Sequence, residues 1–318
     1  MLLDTTQDML PLSTQYLSVI FLGMPFLAVY NTYSAALRAL GDSRAPFLSV
    51  LVSSLVNIAL DIMLVAIIPW GVRGAAIATV FSQAAMTVFI IAYAAKMHPE
   101  LRFVRPVKAD LPLLKEGMLY GVPPMLQSSI GAAGSLFLQR FMNSFGTDTV
   151  TAITTAYRVD TIILLPIINL GSAISTLTAH SHGAGDDARA RRILYAGAVL
   201  MTGVSLLLTG IIIPTGGWLI SIFGAGETVV GIGEDFFGGI APFYVVYGLA
   251  LAVRGSLEGF GDLIYSSTVS VAALAVRIGA SYAMKPVFED LTIAYAEALS
   301  WALMLALYAL RFIVKRRK

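Results

Sequence analysis

The stretch Leu37-Arg38-Ala39-Leu40-Gly41-Asp42 returns 220 positions on as Leu257-Glu258-Gly259-Phe260-Gly261-Asp262, with leucine, glycine and aspartate at the same spacing. The match extends outward. Pro25-Phe26 and Tyr30 return as Pro242-Phe243 and Tyr247 at a slightly shorter offset, and Ser82 returns as Ser300. Apolar helical runs over 15–95 thus recur over 232–314. Two related halves in one apolar chain point to a duplicated membrane bundle, the plan by which secondary transporters enclose a midplane binding site and rock about it.

Composition places the chain in lipid. Of its 318 residues 57% are apolar and 13% charged, with a mean hydropathy of +0.80, far outside soluble norms. The absence of cysteine excludes a disulfide framework, thiolate metal sites and iron–sulfur ligation. No paired catalytic groups, whether histidine clusters or a Ser/Lys dyad, occur within the apolar runs, so an enzyme is not expected, nor a nucleic-acid partner.

Runs of about 20 apolar residues cross ~30 Å of hydrocarbon. Nine such spans are predicted, near 15–37, 46–69, 71–95, 117–144, 150–178, 193–222, 232–257, 263–287 and 291–314. The first residues, carrying Asp4 and Asp8 and no basic region, read as the tail of a helix rather than a signal peptide. Lysine and arginine gather on one side of these spans, at positions that include Arg38, Arg44, Lys96, Arg189, Arg254 and Arg311, against Arg73, Arg140 and Lys285 on the other. By the positive-inside rule the C-terminus is cytoplasmic and residue 1 lies outside. A repeat unit of six helices calls for twelve, so three helices ahead of the present first one are expected. The loop around 96–115, with Pro99, Pro106 and Pro112, divides the chain into a partial first lobe (1–96), a cytoplasmic linker (97–116) and a six-helix second lobe (117–318).

Several of these segments together resemble one known family. The stretch 22–26 through 36–42, then Val56-Asn57-Ile58-Ala59-Leu60-Asp61, then 71–79, look like helices four to six of the multidrug and toxic compound extrusion (MATE) transporters. Gly121-Val122-Pro123-Pro124, Gly183-Ala184-Gly185 and 255–262 are similar to segments of that family's second lobe. The resemblance covers nearly the whole chain. It implies an all-α, two-lobe bundle of six plus six helices, here lacking the first three, that exports organic compounds against an inward flow of Na⁺ or H⁺.

Asp61 carries the sharpest functional signal. It lies about nine residues from Trp70, hence ~14 Å deep at 1.5 Å per residue. A carboxylate there costs ~2.5–3.5 kcal/mol and ordinarily marks an ion pathway. Asn57, one turn earlier, shares its face with Ser54 close by, and Thr79 and Gln83 on the next helix extend the polar patch. Such oxygens suit a hard cation or a proton; the bland alternative is an interhelical hydrogen bond. The family resemblance implies a first-lobe cation site at Asn57, Asp61 and Thr79, which in the family is completed by a helix-one aspartate without counterpart here. A second-lobe acid pair known in other members falls on Gly131 and Tyr247, so that site is expected to be absent.

Gln127, Ser128, Gln139, Tyr157 and Asp160 either line a substrate cavity or bond one another across the second lobe. Arg277 requires an anion, and Glu297 is at a suitable depth for a structural ion pair. Pro25, Pro166 and Pro242 fall inside spans, where each breaks a backbone hydrogen bond and is a candidate hinge. His98, His180 and His182 fall at loops and read as surface residues. The expected protein is a monomeric multi-pass protein of a bacterial cell membrane, binding organic small molecules and lipid and using no cofactor beyond Na⁺ or H⁺. The competing function is a lipid-linked oligosaccharide flippase, which needs several arginines about a central cavity where this chain has few.

Overall fold

The structure is a computed structural model that describes residues 9–101 and 110–316. The expectations that rest on Asp4 and Asp8, on residues 102–109 and on the last two residues lie outside that range. Every element among the described residues is helical. Contacts separate the chain into two units, Met1–Ala109 and Asp110–Lys318.

The first unit holds α1 (Met9–Phe21), α2 (Met24–Ala39), α3 (Arg44–Asp61) and α4 (Gly71–Met97). The expected single span 15–37 is in fact broken. α1 and α2 meet at a 44° bend, because the chain tightens at Leu22 and Gly23, whose amides bond three residues back to Val19 and Ile20. Pro25 then begins the next helix as its second residue, where the amide it lacks is not needed. α3 runs on as a π-helical segment, Ile62–Ile67. α4 packs against α1, α2 and α3.

The second unit holds α5 (Leu111–Met142), α6 (Thr147–Ile163), α7 (Leu165–Gly183), α8 (Asp187–Ser221), α9 (Glu227–Ile240), α10 (Tyr244–Gly259), α11 (Leu263–Phe288) and α12 (Thr292–Arg316). α5 starts six residues earlier than the expected span, capped by the Asp110 carboxylate on the Leu113 amide at 3.1 Å, so 111–116 is helix rather than linker and Pro123-Pro124 lie well inside it. The expected span 150–178 is again two helices, α6 and α7, bent by 43° with Pro166 as the second residue of α7. Pro242 sits in the 3-10 turn Ala241–Phe243 that joins α9 to α10. All three candidate hinges therefore stand where helices begin, not within continuous helices.

Five helical stretches among the described residues are long and apolar enough to cross a bilayer, and up to seven are if each bent pair is one span. α5 is not one of them, and 263–314 joins α11 and α12 in one 52-residue stretch. The second unit has the larger core, built on Phe236, Phe237, Tyr244 and Trp301. Its tightest seam runs between α7 and α10. There a Cβ on Gly255 would strike the Gly171 carbonyl oxygen, so the two backbones touch, as small residues permit in membrane helices.

The repeat noticed in sequence is a repeated corner in space. Gly41 and Gly261 have φ of +85° and +81°, and in each case the following aspartate amide bonds the leucine carbonyl five residues back at 2.9 Å. Only glycine enters this left-handed turn cheaply. A third such corner, Gly185-Asp186 at φ +76°, links α7 to α8.

Candidate functional site

Asp61 is the last α-helical residue before the π-helical segment, a distortion that recurs at functional sites. That segment is accommodated because Gly74 on α4 leaves room: a Cβ there would come within 2.8 Å of the Leu64 carbonyl oxygen. One carboxylate oxygen of Asp61, Oδ1, is buried and accepts no hydrogen bond among the described residues. The other residues expected with it are only partly engaged. Asn57 is half-buried and shares no hydrogen bond with Asp61, and Ser54 is exposed. The Thr79 hydroxyl donates to the Ala75 carbonyl of its own helix at 2.9 Å. Gln83 Oε1 is a second buried acceptor without a partner among the described residues, pressed towards Gly23 at the α1–α2 bend. An unsatisfied buried carboxylate oxygen costs several kcal/mol by the usual estimates, more than a structural hydrogen-bonding role returns.

In the second unit Arg277 of α11 donates through Nη2 to Glu297 Oε2 of α12 at 2.8 Å and to the Tyr157 hydroxyl of α6 at 2.8 Å. Tyr157 in turn donates to Glu297 at 3.2 Å. Beside this triangle the Tyr244 hydroxyl donates to Asp160. Arg277, Glu297, Tyr157 and Asp160 open on a cavity of about 370 Å³ walled by Leu138, Met142, Leu164 and Ile168. Gln139, Tyr157 and Asp160 share that cavity; Gln127 and Ser128 do not. Gln127 instead accepts from Arg254 at 3.3 Å, and Ser128 donates to the Pro124 carbonyl at 2.9 Å. At the two positions where an acid pair was expected to be missing, Gly131 is half-buried, and Tyr247 stacks on Trp301 with centroids 4.6 Å apart.

Sequence reasoning missed several partners. Arg254 lies within α10 and pairs with Glu258 at 2.7 Å, a pair visible as an i, i+4 spacing. Tyr244 as the partner of Asp160 had no sequence signal, being 84 residues away. His98 is not a bare surface residue: it caps α4 and its Nε2 lies 3.1 Å from Asp42 at the first Gly-Asp corner. The hydrogen bond to Asp42 pushes the His98 pKa up, helped by Glu100. Burial alone would raise the Asp42 carboxyl, but His98, the Ala45 and Arg44 amides and Tyr93 outweigh it and hold it below its ordinary value. In the second unit the corresponding Asp262 is held by Arg311 at 2.8 Å. His182 lies 2.7 Å from Asp187.

Helices throughout the described residues, several of them long and apolar enough to cross a bilayer, give the chain the make-up of a multi-pass membrane protein. The MatE family model matches residues 1–63 and 123–283, and the chain belongs to this family of membrane transporters, whose members are not enzymes. It is 29% identical over 266 residues to the probable multidrug resistance protein YpnP of Bacillus subtilis, covering 83% of this chain and 59% of that protein. It is 24% identical over 330 residues to YoeA, also a probable multidrug resistance protein of B. subtilis, covering 100% of this chain and 71% of the relative. Among solved structures, an outward-facing multidrug resistance MATE transporter of the MOP superfamily superposes with a TM-score of 0.89 at 18% identity, over 99% of this chain and 72% of that one. The chain thus spans between about three-fifths and three-quarters of the length of these relatives.

Proposed function

We propose that this protein exports organic, often cationic or amphipathic, small molecules from a bacterial cell in exchange for Na⁺ or H⁺, with Asp61 as the exchange site and Asn57 and Thr79 as neutral ligands. The observation that carries the reading is the buried carboxylate oxygen of Asp61, without a hydrogen-bond partner among the described residues, in a chain of this family. Coupling requires that the ion favour one facing of the binding cleft and the substrate the other. Two lobes comprising nine membrane-crossing helices, a cytoplasmic C-terminus and a monomeric state complete the proposal. The names of the matched relatives, multidrug resistance proteins, support drug export and give the flippase alternative no support.

Expression of the chain in an efflux-deficient bacterium tests this. Ethidium should leave cells carrying the wild-type chain at least tenfold faster than cells carrying Asp61→Asn at equal membrane abundance. Equal efflux would remove Asp61 from the mechanism.

A further inference from the structure

We propose that Arg277 is a tethered cation, filling in the second unit the place that the first unit keeps for an exchangeable one. The inference rests on the reading of Asp61 given above and concerns a residue to which that reading gives no part in ion selection.

The register of the repeat carries the argument. The Gly-Asp corners fix an offset of 220 residues, through Leu37 and Leu257, Gly41 and Gly261, Asp42 and Asp262 and their matching backbone bonds. Each corner opens directly into the next helix, α3 or α11. Carried along those helices without a gap, the offset sets Asn57 on Arg277 and Asp61 on Ser281. A second anchor serves the following pair, α4 and α12. Ser82 Oγ donates to the Thr79 carbonyl at 2.8 Å, and Ser300 Oγ donates to the Glu297 carbonyl at 2.7 Å. That match, at an offset of 218, sets Thr79 on Glu297. The three candidate cation ligands of the first unit therefore correspond to Arg277, Ser281 and Glu297 of the second.

What differs is where the positive charge comes from. In the first unit the carboxylate stands on the first helix of the pair, with an amide and a hydroxyl in the other two positions. Asp61 joins no ion pair among the described residues. In the second unit the carboxylate has moved to α12 and a guanidinium stands in the amide's place, 2.8 Å from it. A buried ionised acid is stabilised by a positive charge beside it, and a covalently held charge cannot be released. The second unit is therefore locked out of ion exchange by its own side chain, and the first is left as the exchanging one. Removing the guanidinium should leave Glu297, Asp160 and the Tyr157 hydroxyl around a space that already adjoins a cavity of about 370 Å³. That set of oxygens is fit for a small hard cation.

The test is equilibrium binding of radioactive sodium to the purified, detergent-solubilised chain. In an Asp61→Asn background, adding Arg277→Gln should strengthen sodium binding at least tenfold over Asp61→Asn alone. Further adding Glu297→Gln should abolish the gain, and Arg277→Lys should give none. A folded Asp61→Asn/Arg277→Gln protein that binds no more sodium than Asp61→Asn overturns the proposal. Wild type against Asp61→Asn tests the first-unit reading separately, so either can fail alone. Should Arg277→Gln yield no folded protein, Arg277→Ala purified with methylguanidinium supplies a second readout. Recovery of folded protein that depends on methylguanidinium and on Glu297 supports the tethered cation; no recovery overturns it.

Discussion

A charge in a membrane protein is decided by its nearest partner, and the acids Asp42, Asp61 and Asp262 have three different fates. Asp262 is closed by a permanent cation, Arg311, while Asp42 is closed by a histidine that titrates, and Asp61 has an oxygen left open. The Asp42–His98 contact makes stability pH-dependent in a direction fixed by linkage. His98 has its pKa raised on folding, so its contribution is full below about pH 6.5, the unfolded value, and is lost as pH rises through the raised one. Asp42 has its pKa lowered, so its contribution holds above about pH 3.9 and fails only as pH falls through the lowered value. The Tm advantage of wild type over His98→Gln should therefore be larger near pH 6 than near pH 9. An equal gap at both would show that the pair is not what the histidine contributes. Asp61 stood out in sequence by its depth in an apolar run, and the structure leaves its Oδ1 without a hydrogen-bond partner among the described residues. The partners of Asp160 and Gln127 were not legible, because they lie 84 and 127 residues away and helical periodicity says nothing about which faces meet.

Helices were legible as apolar runs, and their breaks only as kinks at prolines. A proline within an apolar stretch reads as a kink. At Pro25, Pro166 and Pro242 the chain instead ends one helix and starts another, with glycine or a tightened turn completing the break. The π-helical segment after Asp61 left no sequence mark at all, since its six residues are as apolar as those before them. Close approach of elements was equally hidden. Glycines are frequent here, yet only some are required by packing. Gly255→Ala must push the Gly171 backbone and should destabilise the protein by about 1–3 kcal/mol. Gly279→Ala, also in a helix but with open space at its Cβ, should cost nothing measurable, since alanine favours the helix. Thermal unfolding of the two variants side by side checks this; similar losses would mean that the α7–α10 seam is slack.

For the molecule as a whole, the repeat told the most. The corners at Gly41 and Gly261 that it marks bear the same backbone bonds. It also locates their divergence, for the register of the corners sets Asn57 on Arg277 and Asp61 on Ser281, and the Ser82–Ser300 match sets Thr79 on Glu297. The central claim is that Asp61 binds and releases the coupling ion. Its most direct test is ethidium transport in proteoliposomes under an imposed Na⁺ gradient and, separately, an imposed pH gradient. The wild-type chain should be accelerated at least tenfold by one of the two, and Asp61→Asn by neither. An Asp61→Asn protein still driven by the gradient that drives wild type would contradict the account.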